Sequence, residues 1–162
     1  MKNLPGWQPG TRLMIEIKIP LPPGTITAHN SGNWRSKSSG IKAYREACQI
    51  AAQIQTPFTT RPLTHKVRIH HEWFMGKNAM EAQLGGKCPA RYKHYRPADE
   101  GNAIQALKPA IDGLVDSGLL IDDRAAYVTW GEFVAHTTAK DHGGQCHIIL
   151  RLVELPIEVP CK

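Results

Sequence analysis

The chain has 162 residues, 41% of them hydrophobic, and its 20 lysines and arginines outnumber 14 acids for a formal net charge of +6. That length suits one domain with a real core, and the charge leaves two readings, a polyanionic partner or a solvated basic surface. No apolar run is long enough to span a bilayer, and the opening MKNLPGWQPGTR lacks the apolar core of a signal peptide. Cys48, Cys88, Cys146 and Cys161 show no paired spacing, which points to reduced thiols in a cytoplasmic protein.

Residues 12–19, RLMIEIKI, alternate apolar and charged as a half-buried strand does, and Pro20, Pro22, Pro23 and Gly24 end it. From Arg35 to Gln55 the spacing of Ile41, Tyr44, Cys48, Ala51 and Ile54 predicts a helix. Its first half carries Arg35, Lys37, Lys42 and Arg45 beside Trp34, either to grip phosphates or as a solvated face. His65 to Met75 alternates again and reads as a central strand with Val67, Ile69, His71 and Trp73 on one side. His70 and His71 then point to opposite faces, which argues against a shared metal ion. Between Gly76 and Ala98 periodicity is lost. Lys87, Arg91, Lys93 and Arg96 interleave there with Tyr92, His94 and Tyr95. Such a loop can neutralise phosphates while its aromatics stack on unpaired bases, or its tyrosines can pack on the core.

The stretch from Asp99 to Asp123 is the richest in chemistry. Ile104, Leu107, Ile111, Leu114 and Val115 mark a buried helical stripe, with Lys108 and Asp112 one turn apart at its edge. Asn102 is the expected N-cap. Pro109 either kinks the helix or opens a second one after a break at Lys108. Ser117-Gly118 is a stop signal, and Leu119-Leu120-Ile121 should re-enter the core before Asp122 and Asp123. Carboxylates from both ends of the helix could converge on a divalent cation. Ala126 to Ala135 reads as a strand, Asp141-His142-Gly143-Gly144 as a hairpin turn, and Gln145 to Leu152 as the returning strand. His136, His142, Cys146 and His147 match no familiar zinc spacing and read as incidental polar residues of that hairpin. Residues 1–11 and 156–162 are expected to be flexible ends of a single domain. The element order predicts a compact mixed α/β (α+β) domain with about four strands and two main helices.

Asp99, Asn102, Lys108, Asp112-Gly113-Leu114 and Asp122-Asp123, taken in order, resemble the motif series of the RusA-type Holliday-junction resolvases, phage and prophage DNA endonucleases. Leu21-Pro22-Pro23 and the basic helix after Trp34 extend the resemblance weakly over most of the chain. One position departs: aligned on Asn102, Gly101 stands where the family has a second Asp. The resemblance implies phosphodiester hydrolysis on four-way junctions by a homodimer, with Mg²⁺ (Mn²⁺ as substitute) and no small-molecule cofactor. It implies Asp99, Asp122 and Asp123 as metal ligands and Lys108 as the fourth catalytic residue, with Asn102 and Asp112 in support. Arg35, Lys37, Arg91, Lys93, Tyr95 and Arg96 are the expected DNA contacts. A binder of branched DNA that has lost catalysis through Gly101 is the alternative.

Overall fold

The computed structural model describes residues 14–22, 34–57, 61–74, 100–136 and 146–156, with side chains from residue 38 onward in the first helix. In chain order these form β1 (Met14–Ile19), α1 (Trp34–Gln55), β2 (Val67–Phe74), α2 (Glu100–Asp116), β3 (Val128–His136) and β4 (His147–Glu154).

The strands make one mixed sheet in the order β1-β4-β2-β3. β4 runs antiparallel to both β1 and β2, and β3 runs parallel to β2. The segment β2–α2–β3 is therefore a parallel crossover, the connection that parallel neighbours require. Alternation puts Ile17, Ile19, Val67, Ile69, Trp73, Ile148, Leu150 and Leu152 on one face, where they join Tyr44, Cys48, Leu107, Ile111 and Leu114 of the helices in a single core. The result is one compact α+β unit, as the element order predicts.

Several expectations are corrected. The strand after residue 146 does not return along β3. β4 instead lies between β1 and β2, and its sequence HIILRLVE explains why. Its core face, Ile148, Leu150 and Leu152, is fully buried, and Ile149 and Val153 add apolar bulk to a second face shared with His147 and Arg151, a composition that suits an interior strand. Asn102 is not an N-cap either, because α2 already begins at Glu100. Burial of Ala103, Ala106 and Leu107 carries the helix through Gly101 in spite of that residue's cost. The Pro109 alternatives resolve in favour of one helix: α2 runs continuously from Glu100 to Asp116 with Pro109 inside it. In α1, Tyr44 and Cys48 are buried as expected, but Ile41 and Ile54 face solvent, Ile54 at 78% exposure.

Three devices fix the helices, one against the sheet and two at the helix ends. Gln55 hydrogen-bonds both the backbone N–H (2.9 Å) and the carbonyl (2.7 Å) of Lys18, satisfying part of the outer edge of β1. Arg61 donates to the carbonyls of Ala52 (2.8 Å), Gln53 (2.9 Å) and Thr56 (2.8 Å) and reaches Ser117 O (3.3 Å), joining the C-terminal ends of α1 and α2. α2 stops in a Schellman motif: Gly118 takes φ 76°, its N–H donates to Val115 O (2.9 Å), and Leu119 N–H donates to Leu114 O (3.1 Å). Leu119 and Leu120 then re-enter the core as expected, whereas Ile121 is 44% exposed. That turn delivers Asp122 and Asp123 alongside α2.

Candidate functional site

Lys108 is the centre of the site. It lies on the exposed edge of α2, and its ammonium pairs with Asp112 Oδ1 one helical turn away (3.3 Å) and, more closely, with Asp123 Oδ2 from the loop after the helix. The first contact is what a four-residue spacing on a helix gives. The second depends on the Schellman turn, which aims the following loop back along α2.

Asp112 has a second cation beside it. Arg45 of α1 holds Asp116 through two hydrogen bonds, one of them Nη2 to Oδ1 at 2.7 Å, and turns Nη1 toward Asp112 Oδ2 at 3.9 Å. This clasp requires the helices to be close, and Gly113 makes them so. A Cβ at position 113 would fall 2.5 Å from the Arg45 carbonyl oxygen and 3.0 Å from Gln49 N. The hydrogen bonds from Arg45 hold the Asp116 carboxyl below the usual carboxylate range, and raise the pKa of the guanidinium in return. Asp122 is taken by Arg124, whose N–H donates to Oδ1 (3.0 Å) and whose Nε donates to Oδ2 (2.6 Å). Those hydrogen bonds, side chain first and backbone second, pull the Asp122 pKa down. Arg124 is itself 73% exposed and lies over the Tyr127 ring, 6.0 Å from its centroid.

The structure thus brings Lys108, Asp112 and Asp123 into contact, with Asp122 adjacent in the chain. Asp99, Arg91, Lys93, Tyr95 and Arg96 lie outside the described residues, as do the side chains of Arg35 and Lys37 on the first turn of α1. Of the expected phosphate-gripping face, Arg45 is occupied within the chain by Asp116, while Lys42 lies 3.9 Å from Glu46 with most of its side chain in solvent. Asp116 and Arg124 are the members that sequence spacing did not single out. The i, i+4 pair Asp112/Asp116 flanking a glycine was the available signal for the first, and the Asp-x-Arg turn for the second.

Asp122 and Asp123 are hard oxygen donors of the kind Mg²⁺ takes. Among the described residues no three His, Cys, Asp or Glu side chains are grouped to hold a metal ion. The third implied ligand, Asp99, is outside the described residues. His70 and His71 do point apart. His71 is buried and accepts a hydrogen bond from Trp73 Nε1 (2.9 Å), while His70 Nδ1 accepts from the Glu132 N–H (3.0 Å). His136 and His147 flank Phe74 in a stack of three rings, both at 4.6 Å between centroids. Neither the family models nor the curated proteins searched contain a match to this chain.

Proposed function

We propose that this chain is a Mg²⁺-dependent, structure-selective DNA endonuclease that resolves four-way junctions and related branched DNA in recombination and repair. The observation that carries the reading is the ammonium of Lys108 held against Asp123, beside Asp122, on a chain with net charge +6. A phosphodiester repels nucleophiles by its charge, so a site that cuts it concentrates cations and aims them. Asp99, Asp122 and Asp123 would hold Mg²⁺ (Mn²⁺ as substitute), which when bound supplies an activated water and stabilises the leaving oxygen. Lys108 would stabilise the negative charge that develops on the non-bridging phosphate oxygens, and Asp112 would aim it. Arg35, Lys37 and the loop residues Arg91, Lys93, Tyr95 and Arg96 would hold the DNA, the charges on phosphates and the ring on an unpaired base. Two coordinated cuts in a two-fold junction call for a homodimer. The protein would act in the cytoplasm. Among the described residues Cys48 and Cys146 are free and buried, and burial pushes the Cys48 thiol up to about 12. No described helix is long and apolar enough to cross a membrane.

A second reading, a branched-DNA binder without catalysis, is favoured by one feature. Position 101 is a glycine on the exposed first turn of α2 and contributes no carboxylate. One experiment separates the two. A synthetic four-way junction is incubated with wild type, Asp123→Asn and Gly101→Asp in Mg²⁺, and binding is measured alongside cleavage. Symmetric nicks from wild type, lost in Asp123→Asn with binding kept, support the nuclease. An inert wild type that binds junctions and is switched on by Gly101→Asp supports the binder. Equal cutting by wild type and Asp123→Asn rejects the site.

A further inference from the structure

We propose that Arg45 is a positioning residue of the Lys108 centre: across the helix crossing it fixes Asp112, and through Asp112 it fixes the ammonium of Lys108 against Asp123. The chemistry it serves rests on the nuclease reading above, while the geometry stands independently of it.

Lys108, Asp112 and Asp116 recur every fourth residue and so share one face of α2. An exposed Lys–Asp pair at that spacing is weak, and a lysine ammonium on four methylenes samples many positions. What singles out this pair is the third party from α1. The Arg45 backbone is pinned where Gly113 lets the helices touch, since its carbonyl occupies the space of a Cβ at position 113. From that fixed point the guanidinium grips both oxygens of Asp116, which leaves Nη1 facing Asp112 Oδ2 at 3.9 Å. Asp112 therefore has one oxygen toward Arg45 and the other, Oδ1, 3.3 Å from Lys108. Gln49, one turn along α1, donates to the Asp116 carbonyl (3.3 Å) and fastens the same seam. The order Arg45–Asp112–Lys108–Asp123 runs from a rigid helix pair out to the loop that carries the adjacent aspartates.

The rival role for Arg45 is phosphate contact from a basic helix. Its fork is already committed to Asp116 through two hydrogen bonds, with Asp112 as a longer ionic neighbour at 3.9 Å, and a bidentate grip of that kind suits arginine and not lysine. A group held this way aligns a neighbour rather than reaching for DNA, and misplacing a reacting group by about 1 Å can cost on the order of a hundredfold in rate.

The test compares wild type, Arg45→Gln, Arg45→Lys and Asp112→Asn. The first readout is ¹⁵N relaxation of the Lys108 ammonium, with Lys42, an exposed lysine whose side chain is 79% accessible, as internal reference. The Lys108 ammonium should be ordered in wild type and become as mobile as that of Lys42 in Arg45→Gln and Asp112→Asn, with Arg45→Lys restoring little. The second readout is junction binding over a salt series in EDTA, where Arg45→Gln should leave affinity and slope unchanged. The third is single-turnover cleavage in Mg²⁺, where the rate should fall tenfold to a hundredfold in Arg45→Gln and in Asp112→Asn, and about as much when those two substitutions are combined in one chain. A Lys108 ammonium equally ordered in Arg45→Gln overturns the proposal. So does a salt slope reduced by about one unit, which would make Arg45 a phosphate contact. If wild type cuts nothing, the nuclease reading falls and the ammonium measurement still decides the role of Arg45.

Discussion

Two chains of paired charged and polar side chains cross this molecule, one in the helical layer and one on the open face of the sheet. The helical chain is Arg45–Asp112–Lys108–Asp123. The sheet chain is Glu16–Arg151–Glu72–His136, with contacts of 3.0, 2.5 and 2.6 Å, and it visits β1, β4, β2 and β3 in the order in which the strands lie. Both have four members, but their surroundings differ. Arg151 and Glu72 keep only 20% and 18% of their side-chain surface, whereas Lys108 keeps 57%. Every sheet member projects from a strand whose register the backbone ladder already fixes. The helical members sit on a helix crossing and a loop, and can be rearranged without breaking a ladder. A half-buried charge chain on a ladder is a fastening, and an exposed one at a crossing is available for chemistry. The contrast predicts which substitutions injure folding and which injure only the site.

The largest effect should come from the point where the helical chain depends on packing. In Gly113→Val the new Cβ would meet a backbone oxygen at 2.5 Å, so α1 and α2 must separate. Overpacking of this kind costs about 3 kcal/mol, read as a shift in the urea midpoint, and should release Arg45 from Asp116 at the same time. A neutral Gly113→Val would mean that the crossing does not control the charge chain.

Acid should strike next, beneath the sheet. Burial pushes the pKa of His71 down to about 4, and its Nδ1 accepts from Trp73 Nε1, so the folded state holds it neutral. The unfolded chain protonates near pH 6.5, so stability present above that pH is lost progressively as pH falls toward 4, by up to about 3 kcal/mol. His71→Phe should flatten the stability–pH curve in this window. An unchanged curve would place the acid sensitivity elsewhere.

Much of this architecture was legible because its signals are local. The period of β2, the apolar stripe of α2, its glycine stop and the Lys108–Asp112 pair each follow from spacing within a few residues. Strand order was not, because Asp141-His142-Gly143-Gly144 is a local turn signal while the partners of β4 lie far from it in sequence, in β1 and β2. The clasp of Arg45 on Asp116 joins residues far apart in sequence, and only the helix crossing brings them together. Arg45 looked like a free charge in the sequence for the same reason, whereas Lys42 and Glu46 are one helical turn apart and their pairing was readable from spacing.

Arg151→Met should cost about 2 kcal/mol, because it leaves Glu72 half-buried with His136 alone. Burial is the largest single influence on Glu72 and pushes its pKa up, but hydrogen bonds from Arg151 and His136 outweigh it and the net shift is downward. In wild type this carboxylate therefore adds stability above its unfolded pKa and loses it as pH falls through the folded one. With Arg151 removed, burial is opposed only by His136, and the sign should reverse: the variant should be hurt more at pH 7 than at pH 4. A uniform loss across that range would deny the sheet chain its electrostatic role.

The smallest effect on folding should come from Lys108→Met, and that smallness is itself the evidence sought. The ammonium has two carboxylate partners, yet more than half of its side chain is in solvent. Exposed pairs of this kind contribute about 0–1 kcal/mol after solvent screening and the entropy of holding a long side chain. Methionine keeps the stem and removes only the charge, so the thermal midpoint should move little, and less still at high salt. Junction cleavage should fall by about a hundredfold or more, as when a donor that stabilises a developing charge is deleted. Paired measurements of stability and single-turnover rate on the same preparation distinguish the two roles. A variant destabilised as much as Arg151→Met would make the helical chain a second fastening and erase the contrast. A stable variant that cuts at the wild-type rate would leave Lys108 as a surface ion pair, and the site would have to be sought among the residues on either side of Glu100.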